Sequence, residues 1–263
     1  MHQPLSVSVC CTANSVTLRA KAEELAKNFL LPLADTPGAG ADFCLDYTPT
    51  GLVLRDMTST TARISPLTVD FVHGAMGYRH SHDRTTRQPL ARAVGIRPGF
   101  RPMIFDATAG LGGDAFVLAG LGCRVVMSER SPILWALLAD GLERASQHPA
   151  TAKIVADFLE LHLGDGQANL ALLPERPHTV YLDPMYPHRQ QSALNKNAMR
   201  FIRRLVGDDQ DASALLATAR THATNRVVVK RPKGAPLLGD EQPSHVIVMK
   251  NSRFDVYLTI HLC

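Results

Sequence analysis

From residue 102 onward, short apolar runs alternate with stretches whose apolar residues recur at helical spacing. Met103–Thr108, Cys123–Ser128, Leu161–Leu163, Thr179–Asp183 and Arg226–Lys230 fit strands. Between them the spacing predicts helices over Gly113–Leu121, 151–160, near 195–206 and 211–222. A further helix starts at a Ser131 cap with Pro132 in its first position. Ile133, Leu134, Leu137, Leu138 and Leu142 form its core face. Such alternation predicts a mostly parallel α/β sheet with helices on both faces. The chain closes on two runs, Val246–Met249 and Phe254–Ile260, around Asn251-Ser252. That pair predicts an antiparallel C-terminal hairpin.

The first 66 residues follow a different pattern. Leu5–Cys10 alternates as a strand does. Asn14 or Ser15 caps a helix whose apolar face is Leu18, Ala22, Leu25, Ala26 and Phe29. Two short strands follow, Phe43–Tyr47 and Leu52–Arg55, joined by the turn Thr48-Pro-Thr-Gly51. Residues 1–66 therefore form a small N-terminal α+β unit. It is too small for an ample core of its own and is expected to pack on the domain over 67–263. Residues 67–101 connect the two. They hold the apolar run Val69–Val72, a glycine-rich stretch and a short helix expected over Thr85–Val94.

Chemistry enters at the first strand of the larger domain. Asp106 closes that strand, Gly110, Gly112 and Gly113 turn the chain, and a helix begins at Asp114. A strand, a glycine turn and the exposed N–H groups of a helix N-terminus form a nucleotide cradle. Glu129 stands past the second strand, about 20 residues on, where an acid can accept bonds from ribose hydroxyls. Gly110-Leu-Gly112-Gly-Asp-Ala115 satisfies the dinucleotide fingerprint, but S-adenosylmethionine (SAM) uses the same geometry.

Asp183-Pro184-Met185-Tyr186-Pro187 follows the fourth strand, so it faces the same crevice. The Asp183 carboxylate can accept hydrogen bonds from an exocyclic amine. Pro184 fixes its own φ and carries no donor, leaving carbonyls as further acceptors. Tyr186 offers a ring on which a base can stack. These parts would hold a base amino group before an electrophilic methyl. An oxidoreductase explains the glycine loop but not this motif. A non-catalytic RNA-binding protein does not explain the cradle.

Charge adds a partner. The formal net charge is +4, and residues 1–60 hold four basic and six acidic residues, so the excess lies beyond them. It gathers in three acid-poor runs, Arg79–Arg101, His188–Arg204 and Arg226–Lys233. The candidate RNA contacts there are Arg79, His80, Arg84, Arg87, Arg189, Lys196, Arg200, Arg203, Lys230 and Arg231. The five cysteines have no C-x-x-C spacing and the histidines no ligand spacing, so no metal is expected. No secretory signal or membrane-spanning run is found, and a cytoplasmic protein is expected.

Several segments together resemble the ribosomal RNA small subunit methyltransferase J family. They are Val69-Asp-Phe-Val-His-Gly-Ala-Met, Asp106-Ala-Thr-Ala-Gly-Leu-Gly, Asp114-Ala-Phe-Val-Leu-Ala, Asp183-Pro-Met-Tyr-Pro-His and Val227-Val-Val-Lys-Arg-Pro. The resemblance runs from about residue 67 to 258 and is loose before it. It implies a class I SAM-dependent methyltransferase fold and transfer of a methyl group to the N2 amine of a guanine in 16S rRNA. The alternative is an N6-adenine or other nucleic-acid amino-methyltransferase. It also implies SAM contacts at Gly113-Asp114, Glu129-Arg130, Asp183 and the loop after the third strand, with Asp165, Gln167 and Ala168. Gly113 stands where the family often has arginine, Gln167-Ala168 where it has a serine pair, and Met185 where related enzymes have proline.

Overall fold

The computed structural model describes residues 5–58, 65–73, 85–185, 202, 204–206, 211–239 and 241–259. The N-terminal unit has the predicted elements: β1 (Val7–Cys11), α1 (Val16–Asn28), β2 (Phe43–Thr48) and β3 (Gly51–Asp56). Ser15 caps α1, its side chain accepting from the Leu18 N–H. β2 lies in the middle of a three-stranded sheet, parallel to β1 and antiparallel to β3.

The larger domain follows as α2 (Pro89–Val94), β4 (Ile104–Asp106), α3 (Gly113–Gly120), β5 (Val125–Glu129), α4 (Pro132–Ser146), α5 (Ala152–Phe158), β6 (Leu159–Leu163), α6 (Gly166–Ala171), β7 (Thr179–Leu182), α7 (Ala212–His222), β8 (Arg226–Pro232), β9 (His245–Val248) and β10 (Ser252–Leu258). Only the second half of the stretch expected to be helical before the sheet is helical, because Pro89 sets the first turn of α2. The third strand begins at Leu159, two residues earlier than expected, and shortens α5 accordingly. Helix α6 has no counterpart among the expected elements. Asp165 starts it by accepting from the N–H groups of Gln167 and Ala168. Most of the helix expected near 195–206 lies outside the described residues.

The seven strands run in the order β6-β5-β4-β7-β8-β10-β9. β4 to β8 are mutually parallel, and β10 is antiparallel to both β8 and β9. This is the predicted class I methyltransferase sheet with its C-terminal hairpin. Period-two alternation divides the strand residues between two cores. Ile104, Val125, Met127, Tyr181 and Val228 face the first, with α3 and α4. Phe105, Val126, Val180, Leu182, Val227 and Val229 face the second, with α6 and α7.

The N-terminal sheet has no separate core. Val9, Leu45, Leu52 and Leu54 belong to the same apolar cluster as Leu134, Leu137 and Leu138 of α4. Polar ties cross the same boundary. Asp140 of α4 accepts from the Leu52 N–H at 3.1 Å and from Arg144 Nε at 2.8 Å. Gly51 has φ +122°, and a Cβ there would fall 2.4 Å from Arg144 Nε, so only glycine allows this approach. Arg204 donates to Asp56 at 2.6 Å and to Thr58 at 2.9 Å, tying the chain beside Ile202 to the end of β3.

A shared core predicts a shared transition. Asp140→Ala leaves the Leu52 N–H and the Arg144 guanidinium without this acceptor. It should destabilise the protein by about 1–3 kcal/mol. Urea unfolding followed by circular dichroism should show one transition moved to lower denaturant. A separate early phase for the N-terminal sheet would contradict the shared core.

Candidate active site

β4 lies between β5 and β7, where the strand order reverses, and the parallel strands bring their C-terminal ends to one edge. Asp106 closes β4, Glu129 closes β5 and Asp183 follows β7. A cavity of about 330 Å³ opens between them. Asp106, Gly110, Gly113, Asp114, Glu129, Arg130, Asp165, Asp183 and Pro184 all line it. The structure therefore gathers most of the cofactor candidates and two of the three catalytic ones. Tyr186 lies outside the described residues.

Local chemistry explains the shape of the loop. Gly110 (φ +56°) and Gly112 (φ +73°) take left-handed conformations, and Gly112 starts α3. A Cβ on Gly112 would sit 2.6 Å from Leu138 Cδ1, so α4 also requires glycine there. Glu129 is buried and braces the turn. One of its carboxylate oxygens accepts from the Gly110 N–H at 2.8 Å, the other from the Ser131 N–H at 2.7 Å. The acid expected from the sequence to accept from ribose thus fixes the glycine loop.

A second network joins three elements. Thr108 donates its N–H to Asp106 and accepts the Asp183 N–H on its hydroxyl at 2.7 Å. Tyr181 Oη donates to Asp114 Oδ2 at 2.7 Å. Lys230 Nζ donates to the same Asp114 oxygen at 2.8 Å and to Asp183 Oδ2 at 2.7 Å. Burial alone would lower the Lys230 pKa, but the Asp183 and Asp114 carboxylates outweigh it and raise it. Burial pushes Asp106 up to about 8. The Thr108 N–H opposes that shift, and the charges of Asp114, Asp183 and Glu129 reinforce it. Burial, with the same Asp114 and Asp183 carboxylates, holds the Tyr181 hydroxyl well above its usual value.

Other candidates fall elsewhere. Arg130 pairs with Asp211 at 3.0 Å, both on the cavity wall. Gln167 and Ala168 are in the first turn of α6 and do not line the cavity. Gln167 Oε1 accepts instead from Thr218 on α7. Gly166 lines the cavity, and a Cβ there would fall 2.5 Å from the Ala107 carbonyl. The run Gly164-Asp165-Gly166 was the signal for it. Among the RNA candidates, Arg87 is exposed, Arg231 is buried and Lys230 lies in the cavity. Arg79, His80, Arg84, Arg189, Lys196, Arg200 and Arg203 lie outside the described residues. Arg101, in the same run as Arg87, donates to the carbonyls of Leu121, Arg97 and Phe100.

The lining selects for a cation. Among the described residues it holds six acidic side chains, of Asp106, Asp114, Glu129, Asp165, Asp183 and Asp211, with Asp106 largely protonated at neutral pH, against the two cations Arg130 and Lys230. SAM carries a sulfonium, an ammonium and one carboxylate, a net positive charge which this surplus complements, whereas it would repel the pyrophosphate of a dinucleotide. Among the described residues, no group of three His, Cys, Asp or Glu side chains could hold a metal. None of the described helices is long and apolar enough to cross a membrane.

Comparison with known proteins agrees with this geometry. A family model of SAM-dependent methyltransferases matches residues 25–259. Relatives named ribosomal RNA small subunit methyltransferase J are similar over almost the whole chain. The one from Desulfotalea psychrophila is 53% identical, over 92% of each chain. That from Thioalkalivibrio sulfidiphilus is 50% identical, over 93% of this chain and 95% of its own. A SAM-dependent methyltransferase from Neisseria gonorrhoeae has a crystal structure with a TM-score of 0.73 to this chain. The two are 32% identical, over 97% of this chain and 96% of that one.

The crowded carboxylates give a pH test. Asp106 has a folded pKa of about 8 against an ordinary 3.8, so the folded state binds its proton more tightly than the unfolded state. Its contribution to stability therefore declines as pH rises from about 4 to 8, then levels off. Asp106→Asn keeps an acceptor for the Thr108 N–H and removes that decline. The variant should gain melting temperature relative to wild type at pH 9 but much less at pH 5. An equal difference at both pH values would contradict the assignment.

Proposed function

The chain belongs to the ribosomal RNA small subunit methyltransferase J family of SAM-dependent methyltransferases, and we propose that its acceptor is the N2 amine of a guanine in 16S rRNA. The observation that carries this reading is Asp183 at the mouth of the cavity, held by Thr108 and Lys230 beside the acidic cradle. A substrate of this kind implies a cytoplasmic enzyme.

SAM supplies an already activated methyl, so the protein's task is alignment. The Gly110–Gly113 turn and the first N–H groups of α3 form the floor. Glu129 fixes that floor and faces the ribose. Asp165 and Gly166 close the cavity on the β6 side. Guanine N2 is a weak nucleophile because its lone pair delocalises into the ring. A hydrogen bond from N2–H to the Asp183 carboxylate favours a pyramidal nitrogen whose lone pair points at the methyl. Tyr186, next along the chain, offers the ring for stacking the base. Transfer to N2 would leave the bonding electron pair on the sulfur, and the N2 proton would pass to the Asp183 carboxylate or to water. Arg87, with Arg79, His80, Arg84, Arg189, Lys196, Arg200 and Arg203, serves as a phosphate contact.

The direct test is mapping methylated guanines in 16S rRNA from cells with and without the protein, then repeating the reaction with pure components. One guanine should lose its N2-methyl group in the deletion and regain it in vitro. Asp183→Ala should lower kcat by roughly 10²–10³-fold, the order found for a polar group aimed at developing charge. Its affinity for S-adenosylhomocysteine should change far less. Near wild-type turnover would remove Asp183 from the mechanism.

Charge makes a separate prediction. Affinity for a 16S fragment should fall steeply with salt. Paired substitutions such as Arg84→Ala with Arg87→Ala should shallow the log–log slope by about 0.7–0.9 for each phosphate that is no longer neutralised. A flat wild-type slope would rule out the polyanion reading.

A further inference from the structure

The basic run 226–233 placed Lys230 among the phosphate contacts, yet its ammonium lies inside the cavity. Alternation along β8 accounts for this. Val227 and Val229 pack into the second core and Val228 into the first. Lys230 shares the Val228 face, at the end of the strand that opens on the site. There it meets Asp114 of α3 on one side and Asp183 on the other, at 2.8 and 2.7 Å.

We infer that Lys230 is a positioning residue for methyl transfer: one ammonium holds the Asp183 carboxylate in a fixed orientation and lets Asp114 and Asp183 stay charged side by side. The inference rests on the role given to Asp183 above. Three observations carry it. The contacts are short and charge-assisted. Asp114 is nearly buried, 11% exposed, and its Oδ2 also accepts from Tyr181, so it is a rigid anchor for the lysine. Asp183 is 40% exposed and Lys230 30%, so Asp183 is the carboxylate of the pair that substrate can reach.

A phosphate would have to approach this ammonium through a wall holding six acidic side chains, which argues against an RNA-contact role. Without the ammonium, two neighbouring carboxylates would compete, and one of them would hold a proton more readily. An Asp183 that carries or shares that proton is a poorer acceptor for the amine. Lys230 therefore acts on the reaction through Asp183, and its removal should show as a dependence on pH as well as a loss of rate.

The test uses the full chain and 30S subunits or 16S rRNA, with Lys230→Met, Lys230→Gln and Lys230→Arg. In Lys230→Met, kcat should drop roughly 10²-fold at pH 7. Part of the rate should return towards pH 9 as the shared proton leaves. Lys230→Arg should keep more activity than either neutral variant. The salt slope of RNA binding should equal that of wild type. If Lys230→Met does not fold, Lys230→Gln carries the same comparison, since its amide can still bridge the two acids without a charge. Three results would overturn the inference: an unchanged kcat, a loss equal at every pH, or a salt slope shallower by about 0.7–0.9. The last would mark Lys230 as a phosphate contact. A wild-type protein that methylates no rRNA would instead overturn the functional reading.

Discussion

Packing several carboxylates around one cavity is the constraint to which the rest of the molecule answers. Parallel strands deliver Asp106, Glu129 and Asp183 to a single edge, and α3 adds Asp114. Each acid in this group has a donor. Glu129 takes two loop N–H groups, Asp106 the Thr108 N–H, Asp114 the Tyr181 hydroxyl, and Asp183 the Lys230 ammonium. Those donors are the residues that give the loops their shape, so the electrostatics of the cavity and the fold of its walls are one problem. The burden shows at Asp106, whose carboxyl is pushed far from its ordinary range. Active sites commonly carry such local penalties, balanced by packing elsewhere. Here the balance comes from two apolar cores, one on each face of the sheet.

The same surplus of negative charge separates two readings that the glycine loop leaves open. A dinucleotide and SAM both fit a strand, a glycine turn and a helix N-terminus. They differ in the sign of their net charge. A wall with three times as many acids as bases suits the cation.

Much of this was legible from residue order. Buried strands announce themselves as short apolar runs, and Ser131-Pro132 marks a helix start with little ambiguity. The glycine loop, the spaced acid Glu129 and the Asp183-Pro184 pair were readable because backbone geometry demands those residue types. Three features were not, each for a physical reason. Helix α6 is a six-residue turn whose stability comes from the Asp165 cap and from packing on α7, so no apolar period marks it. Gln167 and Ala168 follow that cap, which directs Gln167 towards Thr218 and leaves the cavity to Gly166. Lys230 and Arg231 look alike in a basic run, but adjacent strand residues point to opposite faces. One enters the site and the other is buried, and composition carries no trace of which. The charge reading stays open where side chains reach solvent, as at Arg87, and misleads where a strand turns them inward.

The shared core of the N-terminal sheet and α4 also has a consequence for how the chain is made. Strands β1 to β3 leave the ribosome before α4, and although α1 packs on β1 and β2, β3 meets its helix only when Pro132–Ser146 follows. At about 5–20 residues per second, the delay from the end of β3 to the start of α4 is on the order of 4–15 s. Throughout that interval Leu52 and Leu54 of β3 lack the helix that will pack on them. A nascent chain in this state presents the sticky edge of that sheet to its surroundings until α4 arrives.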